Sequence, residues 1–392
     1  MEIDVLDLFC GCGGTSLGFK DAKVAGAKYR IIGGVDIDRH ALATYAHNVK
    51  APALSCDLAS IDASGLRQLM KSTTRNSKNP LFLIGCAPCQ AFSSHTKKQS
   101  SPDDRKSLLP KLAEIACELK PEAILIENVP ELLADRNWKF FISARKKLER
   151  AGYTVRARIY NFAEFGLPQE RFRTVIMAFR GSFNMPDGLL APNDFKTVRS
   201  AIGHLPLLKP GTLTIKDSMH ITSNHRPSTI ELLRQVPKNG GNRPQGTGPK
   251  CLDNARGSFG GYTDVYGRLW WDKPAVTITA RCRTPSCGRF AHPEQDRGLS
   301  VREAALLQGF PESSFFHGPF DDKYKQIGNA VPPLVARHLA KHLHTEFSRI
   351  LSRDEVQVDY TGDVRESIGP GFSILINGIK KRRSAINVEY CH

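Results

Sequence analysis

Cys89 is the residue on which chemistry is most readily built. It sits in Pro88-Cys89-Gln90, just behind an apolar run, Leu81-Phe82-Leu83-Ile84, bounded by Pro80 and Gly85. Such a run predicts a short buried strand that delivers the thiol to the following loop. Ala91 to Ser107 is polar, basic and serine-rich, with no helical or strand period. That is loop composition, and loops on rigid strands carry much of catalysis. A free thiol is only a few per cent thiolate near neutrality, yet the thiolate is a strong nucleophile. A solitary cysteine is more often an inert small hydrophobe. What argues for chemistry here is its company.

Three other polar groups also close apolar runs. Ile3 to Phe9 predicts a first strand, broken by Cys10-Gly11-Cys12-Gly13-Gly14, with Thr15 or Ser16 placed to cap a helix beginning near Leu17. Strand, glycine-rich turn and helix let backbone approach a ligand closely. The turn is not the dinucleotide fingerprint, and it lacks the Gly-Lys-Ser/Thr ending of a P-loop. A second strand, Arg30 to Val35, ends at Asp36, about 20 residues beyond the turn, where an acidic residue commonly holds ribose hydroxyls. The ligand is therefore expected to carry a nucleoside and need not carry phosphate. Asp36 is also placed to cap the next helix, Asp38 to Val49. Asp57, beyond Leu54, is placed to accept a hydrogen bond from an adenine amino group. Ala123-Ile124-Leu125-Ile126 predicts a further buried strand, ending at Glu127-Asn128.

These elements must bring the four groups together. Leu108 to Leu119 is helical in pattern, with Leu108, Leu112, Ile115 and Leu119 on one face. Tyr153 to Tyr160 and Thr174 to Phe179 predict the last strands, and Pro333 to Phe347 a closing helix. Strands alternating with helices predict an α/β sheet, whose binding groups gather at strand carboxyl ends. Gly11, Asp36, Cys89 and Glu127 all fall at such ends. Cys10-x-Cys12 and Cys86-x-x-Cys89 supply four thiols but no pair of conventional C-x-x-C knuckles, and Cys86 would lie almost inside its strand. No metal is expected.

The totals bound the partner. The 392 residues are 41% hydrophobic and 24% charged, an ordinary globular mixture that suits two domains. The formal net charge is +16, which favours a polyanionic partner. Pro206 to Ser300 holds 14 Lys and Arg against 7 Asp and Glu without a long basic amphipathic helix, so nucleic acid is favoured over membrane. Ten cysteines without a regular framework suggest reduced thiols, and neither a signal peptide nor a membrane-spanning run is apparent.

With these residues in view, residues 1 to about 345 resemble the cytosine-C5 DNA methyltransferases, which use S-adenosylmethionine. Asp7-Leu8-Phe9-Cys10-Gly11-Cys12-Gly13-Gly14 looks like the family's cofactor turn. Pro88-Cys89-Gln90 and Glu127-Asn128-Val129 look like its two catalytic motifs, and Gln169-Glu170-Arg171-Phe172-Arg173 fits its Gln-x-Arg-x-Arg pattern. Arg302-Glu303-Ala304-Ala305-Leu306-Leu307-Gln308-Gly309-Phe310-Pro311 and Gln326-Ile327-Gly328-Asn329-Ala330-Val331-Pro332 fit its last two blocks. Cys10 and Cys12 stand where the family varies.

The resemblance implies a Rossmann-like S-adenosylmethionine-dependent methyltransferase domain with a smaller, loop-rich target-recognition domain. The catalytic domain is expected at 1–181, target recognition at 182–318, a return segment at 319–345 and a tail at 346–392. Cofactor contacts are expected from Phe9, Cys10, Gly11, Cys12, Gly13, Gly14, Leu17, Asp36, Ile37, Asp57, Pro88 and Asn329. The catalytic set is Cys89, Glu127, Arg171 and Arg173. Cys89 attacks C6 of an extruded cytosine, Glu127 contacts N3 and the exocyclic amine, Arg173 holds O2, and Arg171 supports the loop geometry. The loop from Ala91 to Ser107 is the expected lid. DNA contacts are expected from Gln90, Ser93, Lys97, Arg243, Arg256, Arg268, Arg281 and Arg283, by phosphate anchoring or recognition of guanine edges. The expected partners are double-stranded DNA and a cognate restriction endonuclease, and the expected setting is a monomer on the nucleoid of the bacterial cytoplasm. Two alternatives remain open at this stage, an RNA cytosine-C5 methyltransferase and a non-catalytic DNA-binding protein on the same fold.

Overall fold

The computed structural model describes residues 1–87, 108–249, 252–253 and 264–354. The first half alternates strand and helix: β1 (Glu2–Leu8), α1 (Gly14–Lys20), β2 (Lys28–Asp36), α2 (Arg39–Val49), β3 (Ala53–Ser55), α3 (Ala63–Lys71), β4 (Leu81–Gly85), α4 (Leu108–Leu119), β5 (Ala123–Asn128), α5 (Asp135–Arg150), β6 (Thr154–Asn161) and β7 (Phe172–Phe179). Short helices α6 (Val198–Ile202), α7 (Pro227–Gln235) and α8 (Val301–Leu307) follow among irregular segments. The described chain then closes with α9 (Phe320–Asn329) and α10 (Pro333–Ser352).

The strands form one sheet in the order β3-β2-β1-β4-β5-β7-β6. Pairing is parallel from β3 through β5, and β7 is antiparallel to both its neighbours. Strand order therefore reverses between β1 and β4, the switch point where open α/β sheets bind ligands. This is the Rossmann-like fold expected from the alternation of elements.

The continuous apolar runs reflect burial on both faces of the sheet. Leu6, Leu8, Leu81, Leu83, Ile124 and Ile126 pack on one side, beneath α3, α4 and α5. Ile3, Val5, Phe82, Ile84, Ala123 and Leu125 pack on the other, beneath α1 and α10. Each fully buried Leu, Ile or Phe contributes about 1.5–3 kcal/mol of transfer free energy. A third apolar cluster joins Cys10, Cys12, Leu17, Leu42 and Tyr45 to Trp271, Ile278, Phe290, Val301 and Tyr324. The segment expected to read DNA thus shares its core with the glycine turn.

Two local expectations are corrected. Neither Thr15 nor Ser16 caps α1. Gly13, in the left-handed conformation at φ 87°, is the N-cap, and the helix begins at Gly14, before Leu17. Ser16 is buried within it and donates to Asp7 Oδ2 at 2.6 Å. Nor does Asp36 cap α2, because Asp38 does so, accepting from the amides of His40 and Ala41.

Candidate active site

The sheet register aligns the groups that the sequence placed at strand ends. Leu8 of β1 stands beside Val35 of β2 and Gly85 of β4, and Gly85 stands beside Ile126 of β5. The next residues, Phe9, Asp36, Cys86 and Glu127, therefore share one edge. Cys10 N–H donates to Val35 O and Cys86 N–H to Leu8 O, so the exits of β1 and β4 are tied to their neighbours.

On the β1 side, the turn is built for open approach. Phe9 at φ 56° and Gly11 at φ 51° turn the chain out of the strand. A Cβ added to Gly11 would meet nothing within 4 Å, so space lies before it. Asp36 accepts from the amides of Gly11 (2.8 Å), Ile37 (2.8 Å) and Asp38 (2.9 Å), which joins turn and strand end through one carboxylate. Ile37 is 67% exposed beside it, unusual for so large an apolar side chain. Asp57 is also exposed, two residues beyond β3, and accepts from Ala59 N–H and Ser60 Oγ. A carboxylate, an uncovered apolar side chain and open glycine backbone suit a nucleoside ligand.

Under the turn lies a buried chain of polar groups, Asp7–Ser16–Tyr45, with the two hydroxyls 3.0 Å apart. Burial pushes the Asp7 carboxyl up to about 7 against the opposing Ser16 bond. Burial also raises the Cys10 thiol far above its ordinary range and lifts Cys12 to about 12, so both are protonated thiols near neutrality. Their contacts are structural, with Cys12 Sγ donating to Gln326 O at 3.5 Å.

On the β5 side, Glu127 is 4% exposed. Its Oε1 stands 3.0 Å from Arg173 Nε, out of line for a hydrogen bond, and its Oε2 accepts from Cys86 Sγ at 3.1 Å. Asn128 Nδ2 donates to Ala87 O at 3.2 Å, lacing the β5 exit to the residues that lead into Pro88. Arg173 is partly exposed, and its Nη1 donates to Phe172 O.

Arg171 is 2% exposed and is held away from the open edge. Its guanidinium donates to Ile278 O (3.1 Å), Gly328 O (3.2 Å) and Ala330 O (3.2 Å). It therefore ties the start of β7 to two distant segments. Gln169 does similar work. Its amide donates to Leu307 O and Gln308 Oε1 and accepts from Ile278 N–H. The 326–331 segment, pinned in this way, closes on the glycine turn, where a Cβ on Gly14 would come within 2.1 Å of Val331 O. Asn329 is exposed at the end of α9, one residue from that contact region.

The arginines expected to meet DNA divide sharply. Arg268 is fully buried and donates to Val236 O, His292 O, Gln295 O and Leu233 O, besides pairing with Asp296. Arg243 has a side chain 5% exposed, bound to Pro244 O and to Asp253. Both are corrections, because these guanidiniums are consumed in holding irregular backbone and cannot face a duplex. Arg281 is exposed, and Arg283 is half-exposed beside Asp321. Pro88, Cys89, Gln90, Ser93, Lys97, the rest of the expected lid and Arg256 lie outside the described residues.

Sequence reasoning missed the buried Arg289, which donates to Gly240 O, Gly241 O, Arg268 O and Asp264 and stacks on Trp270 with 4.1 Å to the ring centroid. Nothing in its local sequence distinguishes it from a DNA contact. Cys86, read from sequence as a thiol lying almost inside its strand, follows β4 directly and stands opposite Glu127 across the β4–β5 exit.

Residues 3–345 match the C-5 cytosine-specific DNA methylase family. The chain is 33% identical over 361 residues to the type II methylase M.HgiDII of Herpetosiphon aurantiacus, spanning 90% of this chain and 98% of that one. It is 32% identical over 346 residues to the type II methyltransferase M1.HphI of Haemophilus parahaemolyticus, spanning 87% and 86% respectively. It superposes with a TM-score of 0.63 and 25% identity on a solved chain described as a prophage-encoded DNA modification methyltransferase of Escherichia coli, covering 88% of this chain and 99% of that one. The S. pombe Dnmt2 methyltransferase, with a TM-score of 0.58, 17% identity and coverage of 88% and 99%, is alike in fold.

Proposed function

This chain belongs to the C-5 cytosine-specific DNA methylase family, and we propose that it modifies a short duplex sequence within a type II restriction–modification system, as its named relatives do. It is a DNA (cytosine-5-)-methyltransferase. A cognate endonuclease sharing the site, a monomeric enzyme and a place on the bacterial nucleoid in the cytoplasm complete the reading. No helix among the described residues is long and apolar enough to cross a membrane.

S-adenosylmethionine fits the β1–β2 edge. The Asp36 carboxylate suits ribose hydroxyls, Phe9 and the uncovered Ile37 suit the adenine faces, Asp57 suits its amino group, and Gly11 leaves room before the turn. Backbone at Cys10, Cys12, Gly13 and Gly14, with Leu17, Pro88 and Asn329, completes the expected cradle. When bound, the cofactor supplies a methyl group on a sulfonium.

The remaining chemistry belongs to the chain and the base. C5 of cytosine is too weak a nucleophile in the aromatic ring, so the ring must first be activated. The target base is extruded from the stack to reach the site. Cys89 sulfur adds to C6, and the electron pair of the C5–C6 bond becomes available at C5. Glu127 faces N3 and the exocyclic amine and relieves the charge that develops there. Arg173, beside Glu127, anchors O2. After methylation, loss of the C5 proton and departure of Cys89 restore the aromatic ring. Arg171 is assigned a positioning role, since its guanidinium donates to three backbone carbonyls.

The observation that carries this reading is the Glu127 carboxylate, buried at the β5 exit beside Arg173 and adjoining the strand that leads to Cys89. The test is transfer of labelled methyl from S-adenosylmethionine to unmethylated phage DNA. Cys89→Ala is expected to abolish transfer while duplex binding persists, and parallel loss of both would contradict the assignment.

A further inference from the structure

Glu127 has a neighbour at each of its two carboxylate oxygens, and one of them follows from the register of the strand ends. Gly85 and Ile126 are register partners, so the next residues, Cys86 and Glu127, face each other across the β4–β5 exit. Cys86 N–H is tied to Leu8 O of β1 at 3.3 Å, which fixes the backbone that carries its thiol. From there Sγ reaches Glu127 Oε2 at 3.1 Å, short for a sulfur donor. Oε1 is differently placed. It is buried, makes no hydrogen bond, and has the Arg173 guanidinium beside it at 3.0 Å.

We propose that Cys86 is a positioning residue for methyl transfer: its thiol donates to Oε2 of Glu127 and fixes the plane in which the carboxylate is presented to the cytosine ring. The inference rests on the catalytic role given to Glu127 above. A carboxylate is free to turn about its last torsion, which is broad and roughly two-fold. Arg173 alone restrains one oxygen and leaves the other to swing. A donor on Oε2 removes that freedom before substrate arrives, so less ordering remains to be done in the transition state. The Asn128–Ala87 bond next to it holds the same two strand exits together, so the pair has a rigid base.

The experiment compares parent, Cys86→Ala, Cys86→Ser and Glu127→Gln in methyl transfer to unmethylated phage DNA, with melting temperature and S-adenosylmethionine binding as controls. Partners that orient the ligands of metal sites typically matter by about 10–100-fold, and the low end of that range serves as the scale for a partner that orients a carboxylate. Cys86→Ala is expected to lower kcat about tenfold or more, with KM for DNA and for the methyl donor changed by less than about twofold. Cys86→Ser restores a donor and is expected to recover most of kcat. The proposal is overturned if folded Cys86→Ala keeps kcat within about twofold of the parent, or if folded Cys86→Ser is as slow as Cys86→Ala. Should Cys86→Ala lose its fold, Cys86→Ser decides alone: near-parental kcat supports the proposal and a tenfold loss overturns it. An inactive parent, or an active Glu127→Gln, would instead count against the function assigned above.

Discussion

Charged residues in this molecule fall into those that hold backbone and those that remain available, and only the structure separates them. Arg171, Arg268, Arg289 and Arg297 are almost wholly buried. Arg297 meets Glu303 through two bonds of 2.7 Å at the start of α8, where both are essentially inaccessible. Burial raises the Glu303 carboxyl, but the Arg297 charge and bonds outweigh it and hold the group down to about 2. Removing one partner strands a buried charge, so Glu303→Gln is expected to cost about 3–5 kcal/mol, read by denaturant unfolding. His292 packs against this pair, and burial together with Arg297 and Arg268 lowers it to about 4 from 6.5. Between pH 6.5 and 4 the unfolded chain therefore binds a proton that the folded chain refuses. Stability from this site is complete above pH 6.5 and declines as pH falls toward 4, while Asp7, raised to about 7, contributes with the opposite sign over the same window. The imidazole's share is therefore read from the difference between the melting-temperature profiles of the parent and His292→Gln, which is expected to narrow as pH falls from 6.5 to 4; parallel profiles would contradict the buried neutral imidazole. Sequence could not sort these groups, because an arginine in a loop reads alike whether it anchors carbonyls or phosphates. Arg268 and Arg243 were misjudged on that account.

At the scale of elements, the sequence was most legible where burial was most complete. Leu81–Gly85 and Ala123–Asn128 appear where their apolar runs predict, and α4 runs from Leu108 to Leu119 as its periodic leucines require. The start of α1 was misplaced because glycine supplied the cap that a hydroxyl was expected to supply. Its glycines are explained by what lies across from them. A Cβ on Gly18 would come within 2.5 Å of Ala336 Cβ and of Pro333 O, and one on Gly14 within 2.1 Å of Val331 O. These contacts are formed with residues more than 300 positions away, and no local pattern could announce them. Gly14→Ala is expected to destabilise the chain by about 1–3 kcal/mol, with weaker binding of S-adenosylmethionine by calorimetry. Unchanged stability and affinity would mean that α1 and the 331–336 segment are not in the close contact described.

For the whole molecule, the formal charge of +16 and the core shared between the glycine turn and the later segments around Trp271, Val301 and Tyr324 point to one working body on a polyanion. The distribution of available charge yields a contrast between two arginines. Arg281→Ala should leave melting temperature unchanged and reduce the slope of log affinity for duplex DNA against log salt by about 0.9, the value of one lost phosphate contact. Arg268→Ala should instead lower melting temperature, because five partners lose their donor. The reverse pattern would contradict the division between buried and exposed arginines. Fold class, and the alignment of Gly11, Asp36 and Glu127 at neighbouring strand ends, were thus readable from residue pattern, while the division of labour among basic residues needed three dimensions.

In the proposed reaction Cys89 bonds to C6 of an extruded cytosine while Glu127 and Arg173 hold the ring. Mass spectrometry of the chain incubated with S-adenosylmethionine and duplex DNA, in which 5-fluorocytosine replaces cytosine throughout, reads that bond itself. Fluorine at C5 blocks the final proton loss, so a covalent protein–DNA species is expected, with the modified peptide mapping to Cys89. An active enzyme that forms no such species, or one linked through another cysteine, would contradict the account.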